Sequence, residues 1–457
     1  MESETTSVCH VVALPYPGRG HINPMMNLCK LLVSKKPDIL VTFVVTEEWL
    51  GFLGPELKPA NVRFATVPNV VPSELHRAEN FIAFFEAVLT KLEAPVEQLL
   101  DRLELPVSAI VADTYMAWAV GAGKRRNIPV ATLWTMSASV FAVFHHFEML
   151  QQKGHFPVDL SERGDEEVDY IPGVAKIRLA DLPAILNENG RRVLDGVLES
   201  VAWASKADYF LSTSFYELES PVMDALQSRL PAPAYCVGPT IPFLDGEGAG
   251  DVAYLRWLDS QRGGSVLYVS FGSFLSVSKA QMEEMVAGVR DSGVRFLWVA
   301  RGETSLIGSA CAEDIGLVVP WCEQLKVLCH PSVGGFWTHC GWNSTLEAIY
   351  AGVPMLTCPI LMDQVPNGKQ IVEDWKIGLR FKKECGGGSH DGGVENMVTR
   401  QEIARLVRKL MDVESSEGRD MRKRAREMRE SCRRAAARGG SSDRNLEEFI
   451  GDISRAE

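Results

Sequence analysis

Short apolar runs separated by amphipathic helical stretches recur in two series along this chain, and that alternation restricts the fold more than any other feature. In the first half, His10 to Tyr16, Ile39 to Val45, Val62 to Val67, Ala109 to Asp113 and Val130 to Trp134 read as strands, while Asn23 to Ser34, Ala83 to Leu103 and Ala138 to Gln152 read as helices. The second half restarts with strands at Ser265 to Ser270, Arg295 to Val299, Ser332 to Trp337 and Pro354 to Cys358, and with helices at Lys279 to Asp291 and Asn343 to Tyr350. Strands joined through helices lie parallel, with helices on both sheet faces. Residues 239–251 are rich in Gly and Pro and read as a linker. The expected fold class is therefore α/β, with two Rossmann-like doubly wound domains facing a central cleft: residues 1–238, then the linker 239–251, then 252–440.

A chain of 457 residues with 46% hydrophobic content can build two or three such cores. Its formal charge of −12 repels nucleic acid and anionic membrane surfaces at long range. The basic run Arg419 to Arg438 carries interspersed glutamate and alanine and reads as a solvated helix face. The opening MESETTSVCHVV is too polar for a secretory signal, and no apolar stretch approaches the ~18 residues that span a bilayer. Ten cysteines without pairing rhythm suggest free thiols in a reducing compartment. These features lead to the expectation of a cytoplasmic monomer without membrane insertion or a nucleic-acid partner.

Chemistry concentrates between Trp321 and Gln364, WCEQLKVLCHPSVGGFWTHCGWNSTLEAIYAGVPMLTCPILMDQ. A strand, then Gly341, then a helix leaves free N–H groups and a positive dipole end at one point, where phosphate binds. Ser344 and His339 can add donors, Glu347 one turn on can accept from ribose, and Trp321 offers a flat face for a base. Asp363 and Gln364, in a loop after a strand, suit sugar hydroxyls. The rival reading is a buried αβ unit with Trp321, Trp337 and Trp342 as core. A zinc site built from Cys322, Cys329, His330, His339 and Cys340 lacks the usual ligand spacing. In the first half, His21 stands between a strand end and a helix start and Asp113 ends another strand, positions where open α/β sheets bind ligands. Asp113 within reach of the far nitrogen of His21 would make a base and its orienter; a structural histidine is the alternative.

The run Trp321-Cys322 with Gln324, then His339-Cys340-Gly341-Trp342-Asn343-Ser344, Glu347, Gly352-Val353-Pro354, Pro359 and Asp363-Gln364 resembles the signature box of the plant family 1 UDP-glycosyltransferases. The opening PYPGRGHINPMMNLCK further resembles the plant subgroup numbered 87. The resemblance implies a GT-B fold, with a C-terminal helix within 441–457, at about Asp443 to Ile453, packing back on the first domain. It implies that the first domain binds acceptor and the second binds UDP-sugar. His21 is then the general base, with Asp113 as its partner. The donor-binding residues are Trp321 for uracil, Glu347 for ribose, His339, Asn343 and Ser344 for the phosphates, and Trp342, Asp363 and Gln364 for the sugar. Cys322, Gln324 and Gly341 belong to the same box, and Ser273 and Thr135 match family positions near phosphate and sugar. Gly20 stands where some relatives have threonine or serine.

The reaction so implied is transfer of a hexose, most simply glucose, from UDP-glucose to a small lipophilic acceptor, with inversion and without cofactor or metal. The acceptor candidates are Tyr115, Phe81, Phe84, Trp134 and Phe141, with Phe85, Met116, Met136 and Phe144. Two other classes stay open. A non-catalytic UDP-sugar or small-molecule binding protein is disfavoured by an intact His21 and Asp113. A nicotinamide oxidoreductase is disfavoured because Gly18-Arg19-Gly20 lacks the third glycine of the dinucleotide fingerprint. Gly121-Ala122-Gly123-Lys124 has the wrong length for a P-loop and sits in an expected helix.

Overall fold

The computed structural model describes residues 8–53, 59–77, 80–186, 191–241, 252–272, 278–300, 315–381 and 397–455. Residues 242–251 of the expected linker and Ser273 lie outside these.

The first sheet contains β1 (His10–Leu14), β2 (Leu40–Thr46), β3 (Val62–Val67), β4 (Ala109–Asp113), β5 (Val130–Trp134), β8 (Tyr209–Ser212) and β9 (Ala234–Cys236), in the order β3-β2-β1-β4-β5-β8-β9. Between β5 and β8 a small antiparallel hairpin pairs β6 (Glu167–Val168) with β7 (Ile177–Arg178). The second sheet contains β10 (Val266–Ser270), β11 (Arg295–Val299), β12 (Gly316–Val319), β13 (Val333–Thr338), β14 (Met355–Thr357) and β15 (Gly378–Arg380), in the order β12-β11-β10-β13-β14-β15. Every pairing in both large sheets is parallel. Their central strands are buried on both faces, as covered parallel sheets require.

In each sheet the connections reverse direction at one place, between β1 and β4 and between β10 and β13. A crevice forms at the C-terminal strand ends there. His21 follows β1 and Asp113 ends β4; Gly272 follows β10 and His339 follows β13. Sheet order alone therefore gathers these residues in pairs.

Several expected boundaries move. The first helix runs Arg19–Lys35, so His21 sits in its first turn and not in a preceding loop. Gly18 is extended and its carbonyl accepts from the N–H groups of His21 and Ile22 at 2.9 Å each, which starts the helix early. The single helix expected over 83–103 is two, Phe81–Lys91 and Glu93–Leu100. Pro95 cannot donate into a helix coming from Lys91, but it is tolerated near a new start. The 138–152 stretch likewise divides at His146.

The last helix, Ser441–Arg455, places Leu446, Phe449, Ile450 and Ile453 in the core under the first sheet. Lys35 bonds to Asp443 and Glu447, and the Tyr235 hydroxyl donates to Asp452 at 2.7 Å. No helix among the described residues is long and apolar enough to cross a membrane.

Bridges join the two units directly. Asp181 is 6% exposed and accepts from Arg178 at 2.6 Å and from Arg380 at 3.2 Å; Glu373 lies 2.9 Å from Arg380. The N–H of Ala184 donates to the carbonyl of Met362, a left-handed residue at φ +57°, and Gln370 donates to Ser139. Replacing the carboxylate leaves Arg178 and Arg380 with Glu373 as their shared partner, at 3.9 and 2.9 Å, and removes the more buried of the two acids. Asp181→Ala is expected to destabilise the protein by about 1–3 kcal/mol, between the values for exposed and buried pairs. Chemical denaturation checks this, and a change under about 0.5 kcal/mol would show the network to be solvent-screened.

Candidate active site

On the first-domain side, His21 Nδ1 lies 2.7 Å from Asp113 Oδ2, with the aspartate side chain 1% exposed and the imidazole 19% exposed. The other carboxylate oxygen accepts the backbone N–H of Tyr115 at 3.0 Å, so Asp113 cannot rotate away without losing two bonds. A proton held on Nδ1 by that carboxylate leaves the Nε2 lone pair free, the tautomer a general base needs. Thr135 Oγ1 is 2.9 Å from the same Nδ1, and the Tyr16 ring packs 4.8 Å from the imidazole. His21 and Thr135 both line a cleft of about 1430 Å³ that runs between the two units.

Across this cleft the helix Trp342–Ala351 begins at Gly341, with no side chain capping its first N–H groups. An uncapped helix start facing a cavity is an anion site. Cys340 precedes it at φ +66°, a left-handed residue that turns the chain sharply out of β13. The His339 ring lies between two glycines, since a Cβ on Gly341 or Gly272 would come within 2.4 or 2.8 Å of its Nε2. Burial lowers His339 to about 4, opposed by a hydrogen bond with the Ser270 backbone, so it faces the cleft as a neutral imidazole.

Gln324 organises the next turn: its Nε2 donates to Ser344 Oγ at 2.9 Å and to Glu347 at 2.6 Å, while its carbonyl accepts from the Tyr268 hydroxyl at 3.1 Å. Burial raises the Glu347 carboxyl to about 7 and Asp363 to about 6, with the Gln324 and Asn367 hydrogen bonds working against it. Trp321, which the rival reading made core, is 55% exposed at the cleft with its indole face uncovered. Trp342 is nearly buried but borders the cleft, and its indole N–H has no partner among the described residues. Gln364 also lines the cleft, but its carbonyl oxygen already accepts the N–H groups of Ile360 and Leu361, which leaves its NH₂ for a ligand. Cys322 is buried with Sγ 3.4 Å from the Tyr268 hydroxyl, a packing position at the edge of the cavity. The other proposed zinc ligands are dispersed, with His330 bonded to Ser332 and Asp259.

The acceptor expectations divide. Phe81, Phe85, Tyr115 and Met136 line the cleft. Phe84, Trp134 and Phe141 do not: each is at most 1% exposed within the first core, where Met116 and Phe144 are also buried, at 5% exposure. Phe81 and Phe85 are four residues apart and share one helix face, whereas Phe84 is turned inward against Tyr16. Trp134 ends β5 buried behind Tyr115, its ring 6.1 Å from that of Tyr115 and packed against Phe141, with its indole donating to Ser137. Among the wall residues outside the sequence expectations are Tyr16 and Arg77. Tyr16 could have been found as the end of the expected first strand, two residues past Leu14 where β1 stops. Arg77, paired with Glu74 at 3.2 Å and 5.9 Å from the Phe84 ring, comes from a stretch with no periodicity to flag it.

Comparison with known proteins agrees with this geometry. Residues 254–388 match the family described as UDP-glucoronosyl and UDP-glucosyl transferase. The chain is 51% identical to UDP-glycosyltransferase 87A1 of Arabidopsis thaliana, over 97% of this chain and 100% of that protein. Among solved structures it resembles Phytolacca americana UGT2 complexed with UDP-2fluoro-glucose and pterostilbene, with 29% identity, a TM-score of 0.81 and coverage of 98% and 100%. Medicago truncatula UGT71G1 complexed with UDP-glucose matches with 25% identity, a TM-score of 0.81 and coverage of 99% and 100%. Two facing parallel α/β units of this order are a GT-B fold, and with half its residues shared along nearly its whole length, the chain belongs to the plant family 1 UDP-glycosyltransferases and resembles their subgroup 87.

Proposed function

We propose that this UDP-glycosyltransferase moves glucose from UDP-glucose to a hydroxyl or carboxyl of a small lipophilic plant metabolite, giving a β-glucoside with inversion. The observation that carries the catalytic part is the 2.7 Å contact between His21 and a buried Asp113 at the wall of the cleft. His21 Nε2 takes the acceptor proton, the acceptor oxygen attacks the anomeric carbon, and the bond from that carbon to UDP breaks with its electrons. Asp113 stabilises the imidazolium that forms. Phosphate charge is met by the helix start at Gly341, by neutral His339, and by Ser344 and Asn343, without a divalent ion. Trp321 stacks on the base, Glu347 takes ribose, and Trp342, Asp363, Gln364 and Thr135 face the sugar.

Glucose is favoured as the sugar by the Gln364 position and by the UDP-glucose held by the Medicago relative. The aromatic wall of Phe81, Phe85 and Tyr115 suits a flat apolar acceptor, in keeping with the pterostilbene bound to the Phytolacca protein. The same reading takes the first unit with the last helix as the acceptor half, and the enzyme as a cytoplasmic monomer.

Three outcomes are expected. His21→Ala should lower turnover of an aliphatic alcohol ~10²–10⁴-fold with UDP-glucose affinity retained. The double variant with Asp113→Ala should be little worse, and an acidic phenol should suffer less because it is already partly ionised. Steady-state kinetics on both acceptor types checks this, and equal losses for the two would remove His21 as the base.

Second, Gln364→Glu keeps an acceptor for Ile360 and Leu361 but offers the sugar no N–H. UDP-glucose turnover should drop several-fold more than UDP affinity does; calorimetry beside kinetics separates the two.

Third, ribose hydroxyls donate best to an ionised Glu347, whose carboxyl stands at about 7. Uridine, which has no phosphate to titrate, should therefore bind about 3–10-fold more weakly as pH falls from about 8 to about 6. Glu347→Gln should give a flat profile, and a sloping one would assign the effect to another group.

A further inference from the structure

Pro24 lies inside the helix Arg19–Lys35. Proline has no backbone N–H, so the carbonyl four residues earlier, that of Gly20, receives no donor from position 24. That carbonyl nevertheless has a partner. Asn343 Nδ2, in the first turn of the helix Trp342–Ala351, donates to it across the cleft at 2.7 Å. Gly20 directly precedes His21, and Asn343 stands two residues after Gly341. The bond therefore ties the turn that carries the base to the helix end that faces the donor phosphates. Among the described residues, the hydrogen bonds and ion pairs that join residues 139–184 to residues 362–380 do not reach this turn.

We propose that Asn343 and the carbonyl freed by Pro24 form a latch that sets the position of His21 relative to the sugar donor. Asn343 is thereby a positioning residue in addition to any contact with phosphate. An amide nitrogen carries two hydrogens, so holding Gly20 leaves one for a ligand oxygen. Proline is the element that makes the latch possible: any other residue at position 24 would bring an N–H that claims the Gly20 carbonyl for the helix. A Cβ at Gly20 would meet nothing within 4 Å, so a larger residue there would leave the latch sterically intact. The kinetic consequence rests on the transferase reading above, whereas the latch itself is a property of the fold.

The test is a double-mutant cycle on Pro24→Ala and Asn343→Ala. Pro24→Ala alters no group that touches substrate and improves the helix, so its melting temperature should stay equal or rise. Its kcat, measured with UDP-glucose and the best acceptor from a mixed library of phenols and terpenoid alcohols, should nonetheless fall about 2–10-fold, the range one net hydrogen bond supports. KM for UDP-glucose should be unchanged. A proline that matters only for packing would show the stability gain without the loss in kcat.

Asn343→Ala should cost less in the Pro24→Ala background than in the native chain, both in kcat and in melting temperature. Additive effects in both measurements would overturn the latch. Should the native protein transfer glucose to no acceptor, the transferase reading fails, and the melting-temperature cycle still decides whether the latch exists.

Discussion

A parallel strand reaches its neighbour only through a crossover over the sheet face, and where successive crossovers change direction two strand ends are left uncovered. Everything functional in this protein depends on that constraint occurring twice. In one sheet it uncovers the ends of β1 and β4, and so brings His21 to Asp113 although 92 residues separate them. In the other it uncovers β10 and β13, and so seats the His339 ring against Gly272 and Gly341. Neither pair needs a special loop to find its partner. The last helix, which leaves the second unit to complete the core of the first, and the Asp181 network then hold the two crevices open to one another.

The parts of this arrangement visible in the sequence are those with a local cause. Strand and helix alternation follows from burial of the strands on both faces, and the helix start at Gly341 follows from a glycine between a strand and an apolar period. Departures came where a local rule had a competitor. Pro95 divides a helix that hydrophobic periodicity alone makes continuous, and Gly18 starts the first helix earlier than the apolar pattern indicates. Side-chain direction was the larger gap. Composition cannot tell Phe84 from Phe85 or Trp134 from Thr135, because one residue of displacement along a helix or past a strand decides between core and cleft. Arg77 was illegible for a different reason, since its place depends on a loop folding over Gly18 from far along the chain. The bond from Asn343 to Gly20 could be read only halfway: Pro24 announces a carbonyl without its helical donor, but nothing local says what will take it.

Electrostatics in the cleft has a single direction. His339, Glu347 and Asp363 are all moved toward their neutral forms, the first down to about 4 and the others up to about 7 and about 6, and in each the largest cause is burial. A cavity that disfavours charge on its own walls makes the fixed dipoles in it count for more, because buried surroundings screen them less than bulk solvent does. The helix start at Gly341 is such a dipole. A nucleotide diphosphate brings its charge to the one wall that does not need to ionise to receive it.

Asp363 shows how the two walls are coupled once the cleft is shared. Its carboxyl is pushed up by burial, and the charge on His21 acts on it in the opposite direction. On the proposed reading, in which His21 takes the acceptor proton, charge on His21 favours the ionised form of Asp363, and that negative charge in turn favours the imidazolium. Asp113, held by Tyr115 and nearly inaccessible, supplies a constant partner on the Nδ1 side. Asp363, hydrogen-bonded to Asn367 on the opposite domain, faces the same charge from across the cleft. An interaction with charge that develops on His21 is worth more to a transition state than to a ground state, and that of Asp363 reaches His21 only while the two domains are held at the separation seen here.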